Sequence, residues 1–146
     1  MNTIKILSVL FCLCFIGCNN NSKPAYEISG KNSKTIVSII DAVNEKNAEK
    51  YVLGFDQNVK IFVESDIRIH GRENLKTNRE NHFKNHPNVI SEIQHLVEID
   101  DKVILHDKVW LDESDKVGQN IVEIFTFEND KIVRVDVIQP KNLFNR

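Results

Sequence analysis

"GQNIVEIFTFENDKIVRVDVIQP", residues 118–140, alternates apolar and polar side chains on both sides of Asn129-Asp130. Successive side chains of a strand point to opposite faces, so residues 119–127 and 131–138 read as two antiparallel strands, with Asn-Asp as the turn between them. Ile121, Phe125 and Phe127 share one face, while Val122 and Ile124 lie on the other. A sheet with one solvated face would alternate more cleanly. Part of the outer face is therefore expected to be covered, most economically by a second copy of the chain. Glu123 falls between Ile121 and Phe125, on the face that otherwise reads as core. A carboxyl group there must find a partner or hold its proton.

Upstream, residues 89–99 and 103–111 carry the same period and are joined by "DD" (100–101), with "DESDKVG" (112–118) leading into the next strand. Consecutive strands of this kind pair antiparallel. Before them the period is helical. Ile36, Ile39, Ile40 and Val43 follow Ser33, a candidate N-cap, and predict a helix over 34–45. Residues 48–53 read as a short helix ended by Gly54, and "NVKIFVE" (58–64) as a strand. "HGRENLKTNRENHFKNH" (70–86) reads as a polar helix with Leu75, Arg79, His82, Phe83 and His86 along one stripe, stopped by Pro87. The expected class is α+β: a curved antiparallel sheet wrapped around three helices packed on one face.

The first residues carry a different signal. "ILSVLFCLCFIG" (6–17) follows Lys5 and is too short to span a bilayer, which needs about 20 residues, but suits the core of a secretory signal. "FIGC" resembles a bacterial lipoprotein cleavage box. That resemblance implies a signal peptide over 1–17, lipid on Cys18, a polar tether over 18–32, one domain over 33–146 and a lipid-anchored place in the cell envelope. Cys12 and Cys14 then leave with the signal, and no thiol remains for a disulfide, a zinc cluster or a nucleophile. The 19 basic and 21 acidic residues give a net charge of −2, which offers no electrostatic footprint for nucleic acid. No Gly-rich phosphate loop appears, and no cofactor is expected. His82 and His86 have the i, i+4 spacing of a metal-binding helix face but lack a third ligand, so no metal is expected either.

The order of elements, with "IHGRENL" (69–75) and "VEIFTFENDKIVRVDVIQP" (122–140), resembles the nuclear transport factor 2-like superfamily, in particular its SnoaL-like polyketide cyclase and ketosteroid isomerase branches, over residues 34–140. The resemblance implies a cone: a curved sheet around helices, a mostly apolar pocket at the wide end, and commonly dimers. In the steroid isomerases the penultimate strand carries a protonated aspartic acid that polarises the substrate carbonyl, and Glu123 matches that position. The family's general-base position holds Phe62 here and its first-helix tyrosine position Ile39, neither able to move a proton. Glu64, two residues beyond Phe62, is a substitute base in principle. Steroid isomerisation in the strict sense is disfavoured.

Parity adds two candidates. His95 alternates with Ile93 and Val97, and Asp107 with Val103, Leu105 and Val109, so Glu123, His95 and Asp107 form a candidate proton-transfer cluster. Phe62, Val97, Phe125 and Val135 are expected along the pocket. Arg134 and Asp136 belong on the outer side, paired across strands. The expected function is binding of a small apolar molecule whose carbonyl or hydroxyl meets Glu123. Proton transfer next to a carbonyl, with His95 or Asp107 as base, is the alternative, and a protein-interaction domain with a vestigial cavity the third.

Overall fold

The computed structural model describes residues 26–141. The signal peptide, Cys18 and most of the tether lie outside the described residues. The elements run α1 (Lys31–Asn44), α2 (Ala48–Val52), β1 (Phe55–Val63), β2 (Asp66–His70), α3 (Arg72–Asn85), β3 (Ile90–Ile99), β4 (Lys102–Trp110), β5 (Gln119–Glu128) and β6 (Lys131–Ile138). One six-stranded curved sheet has the order β2-β1-β6-β5-β4-β3. Its pairings are antiparallel except for β1 with β6, which is parallel, so the sheet is mixed rather than purely antiparallel. The expected α+β class holds.

Helix α1 buries Ile36, Ile39 and Ile40 against Phe55, Leu105, Phe125 and Ile132 of the sheet. Its N-cap is Gly30, not Ser33. Ser33 lies inside the first turn, fully buried, and donates from Oγ (2.6 Å) and N–H (2.8 Å) to Glu98 of β3. At the other end, Asn44 exchanges two hydrogen bonds with the Ser91 backbone, 2.9 and 2.8 Å. Both ends of α1 are thus tied to the same strand. Positions 91 and 98 would face opposite ways in a regular strand. A bulge at Gln94, between the pairs Ile93↔Asp107 and His95↔His106, turns both toward α1.

The Asn129-Asp130 turn has positive φ at both residues, 48° and 64°, as a two-residue hairpin requires. Glu64 and Ser65 make a turn of the same kind, φ 51° and 73°, and open the short strand β2, which the sequence reading did not anticipate. Glu64 is therefore an exposed turn residue and not a substitute base. Gly71, φ 90°, closes β2 and opens α3 while its N–H donates to Val59 O, 2.8 Å; that φ strains any side-chain-bearing residue.

Candidate functional site

Between the concave face of the sheet and α3 lies an open cleft of about 670 Å³, within the usual range for small-molecule sites. Ile61, Val63, Val135 and Val137 supply an apolar wall from β1 and β6, and Asn78, Arg79, His82 and Asn85 a polar one from α3. A smaller inner chamber of about 70 Å³ lies deeper, toward α1 and β4, bounded by Ile39, Val43, Ser91, Asp107 and Val109 among others. Tyr51, Arg79, His82, Ile121 and Glu123 line both spaces and so stand at the boundary between them.

Glu123 reaches this boundary because β5 keeps its parity: Leu105 is its partner on β4 and Val137 its partner on β6, both inward-facing. Burial first, then the nearby Asp107 charge, push its carboxyl up to about 8, against the opposing pull of Arg79. Asp107 is 4% exposed. Its Oδ2 accepts a hydrogen bond from Ser91 Oγ, 2.6 Å, while Oδ1 is buried with no hydrogen-bond partner among the described residues. Burial lifts its carboxyl to about 6, with Ser91, the residue's own backbone N–H and His106 working the other way. Near pH 7 the pair thus carries one proton more than two free carboxylates would, held mainly on Glu123. A donor and an acceptor line the inner chamber together.

Three boundary residues strengthen this picture. Tyr51 of α2 is buried, stacks on Phe55 at 5.4 Å, and has its phenol pushed up to about 12 by burial, so it remains a hydrogen-bond donor. Arg79 lies 5.6 Å over the Tyr51 ring. His82 is driven down to about 4 by burial and by the charges of Arg79 and His86, so its imidazole is neutral at pH 7. The sequence reading placed Arg79 and His82 on the α3 stripe without assigning them to the site and passed over Tyr51. The signal available for Tyr51 was an aromatic hydroxyl in a five-residue helix, which any core tyrosine would give.

Several predicted site residues lie elsewhere. His95 is exposed on the convex face, its Nδ1 3.0 Å from Nδ1 of His106, because the Gln94 bulge reverses the parity of the second half of β3. Val97 follows it outward and is 47% exposed. Phe62 also lies on the convex face, under the Arg134 guanidinium at 3.9 Å, whereas its neighbours Ile61 and Val63 line the cleft. Arg134 pairs with Asp136 along its own strand, 2.6 and 2.7 Å, rather than across strands. Val135 lines the cleft, and Phe125 is core beneath it. Glu123 and Asp107 come together, and His95 does not join them.

Solved structures repeat this arrangement of a curved sheet around three helices. A cystatin-fold protein from Novosphingobium aromaticivorans superposes with a TM-score of 0.67 at 22% identity, over 75% of this chain and 98% of its own. An NTF2-like protein from Cytophaga hutchinsonii gives 0.66 at 13% identity, over 80% and 96%. The fold is NTF2-like. A proposed polyketide cyclase from Sinorhizobium meliloti has this NTF2-like fold too, with a TM-score of 0.61 at 14% identity over 72% and 94%. Neither a family model nor a curated protein matches the sequence.

Proposed function

We propose that this NTF2-like domain binds a small, largely apolar molecule in the cleft, with a carbonyl or hydroxyl oxygen held by protonated Glu123. The observation that carries the reading is the position of Glu123, a proton-bearing carboxyl between a cleft with one apolar wall and one polar wall and an inner chamber. Tyr51, which lines the same cleft, would give that oxygen a second donor. The test is thermal unfolding of wild type and Glu123→Leu with and without a panel of cyclic ketones. Removing this half-buried, poorly solvated carboxyl should raise the melting temperature while the ligand-induced shift disappears. A lower melting temperature with ligand shifts retained would assign Glu123 a structural role and end this reading.

A second reading is proton transfer next to that carbonyl, favoured by the different proton affinities of Glu123 and Asp107. Asp107 takes the α-proton, the C–H electron pair moves into the carbonyl, and Glu123 stabilises the resulting oxyanion before the proton returns. Exchange of α-hydrogens of cyclohexanone for deuterium, lost in Asp107→Asn, supports catalysis; exchange at the buffer rate leaves binding alone. The proposal also includes attachment to a membrane through lipid on Cys18, read out by palmitate labelling that Cys18→Ser abolishes. It further includes a homodimer through the convex face, where Val97, Ile99 and Ile138 are 47%, 57% and 62% exposed. Light scattering of Val97→Lys against wild type tests the dimer.

A further inference from the structure

The inner chamber is built around a hydrogen-bonding capacity that the protein leaves unused. Asp107 is anchored on one side by the 2.6 Å bond from Ser91, whose own backbone is held by Asn44 of α1. Its other oxygen, Oδ1, is buried and accepts no hydrogen bond of ordinary geometry among the described residues, the nearest help being the residue's own backbone N–H, on a side chain that lines the chamber. The rest of the chamber wall joins an aliphatic side, from Ile39, Ile40, Val43, Val89, Val109 and Leu111, to Tyr51, Arg79, His82 and Glu123 where it meets the cleft. About 70 Å³ holds more than one water molecule and equally a small polar head group. The spatial relation to Glu123 is fixed by register. Asp107 pairs with Ile121 and Glu123 with Leu105, so the two carboxyls are diagonal neighbours on one sheet face, a relation that spans about 7–8 Å between backbones.

We infer that the inner chamber is the recognition site for a neutral hydroxyl or N–H donor at the deep end of the ligand, accepted by Asp107 Oδ1, while the ligand's acceptor oxygen stays at Glu123 and its apolar body fills the outer cleft. This rests on the reading that the cleft takes a small molecule, and it narrows that molecule to one bearing a donor beyond its acceptor. A neutral donor suits the charge balance, because the Arg79 guanidinium lines the same chamber and already acts on Glu123. The chemistry also sets the selectivity. A site that presents a buried acceptor discriminates against an analogue that replaces the donor by a methyl group, since the acceptor is then dehydrated without a partner.

The discriminating probes are the hydroxycyclohexanones and the methylcyclohexanones with the same substitution position, titrated into the full chain and followed through backbone amide shifts. The expected result is that at least one hydroxy ketone binds about tenfold or more tighter than its methyl counterpart, with the amide of Asp107 among those that move. In Asp107→Val the preference falls to about twofold or less; Ser91→Ala, which leaves Oδ1 in place, retains a preference and guards against a folding defect in the first variant. Equal binding of the hydroxy and methyl ketones in wild type overturns the inference and leaves the ketone-binding reading standing. A preference that survives Asp107→Val overturns it as well. Absence of binding by every member of both series overturns the inference and the proposed function together.

Discussion

Asp107 and Glu123 face the same side of adjacent strands as diagonal neighbours, two residues apart in register, and burial raises the proton affinity of both. The native chain therefore holds protons that the unfolded chain, with carboxyls near their ordinary 3.8 and 4.5, has already released. Stability is then greatest on the acid side of this window and falls as pH rises through about 6 and about 8. His82 acts in the opposite sense: its affinity is lowered from 6.5 to about 4, so its contribution grows as pH rises through that interval and is complete above it.

The two effects separate above pH 6.5, where the carboxyl of Glu123 dominates. Between pH 6.5 and 8.5 the melting temperature should fall by on the order of 5 °C, and Glu123→Gln should flatten most of that slope. Calorimetry at a series of pH values makes the comparison. A mutant slope equal to that of wild type would mean that Glu123 is solvated and titrates normally.

Glu98 fixes the other end of the architecture. It accepts from Ser33 N–H and Oγ at the first turn of α1, a helix with no side-chain cap from Gly30. Although its partial burial acts in the other direction, the hydrogen bonds from Ser33 and Asn32 hold its carboxyl below the ordinary range. Glu98→Ala should cost about 1–3 kcal/mol, since it uncaps a helix and leaves the buried Ser33 hydroxyl unpaired. Denaturant unfolding measures it. Because the affinity of Glu98 for its proton is depressed, the wild-type advantage should shrink as pH falls through that lowered value; a difference unchanged down to pH 2 would rule out the ion-dependent cap.

His95 tests the placement of the site. It sits against His106 on the convex face, with the sheet between it and the cleft. His95→Ala should leave ketone affinity unchanged within about twofold, whereas Asp107→Asn and Glu123→Gln should not. An affinity loss of tenfold in His95→Ala, measured by the same amide-shift titration, would restore His95 to the site.

The legible and the illegible parts of the sequence follow from this geometry. The β5–β6 hairpin, the burial of Ile36, Ile39 and Ile40, and the inward parity of Asp107 and Glu123 are local properties of unbroken periods. The positions of His95 and Val97 depend on a single extra residue, Gln94, whose signature is absent from composition because the bulge is stabilised by tertiary ties and not by a glycine. Phe62 differs for another reason: the resemblance matches it to a catalytic position, while the register of β1 on β6 sets Phe62 beside Asp136 on the outer face. The place of Tyr51 at the site depends on the packing of α2 against the sheet, a tertiary relation with no local signature.

Gln94 consequently carries a prediction that separates its identity from its presence. Asn44 holds Ser91, and Ser33 holds Glu98, so α1 fixes β3 at two points seven residues apart that must face the same way. Gln94→Ala keeps the residue count and should change stability by no more than about 0.5 kcal/mol. Deletion of Gln94 restores a regular strand, and then either Ser91 turns its hydroxyl away from Asp107 or Glu98 leaves Ser33 and Leu96 turns out of the core. Loss of one clamp together with a buried leucine costs several kcal/mol, so the deletion variant should be largely unfolded or melt far below wild type by circular dichroism. A deletion variant that melts within a few degrees of wild type would show that β3 tolerates either register and that the bulge does not position the site.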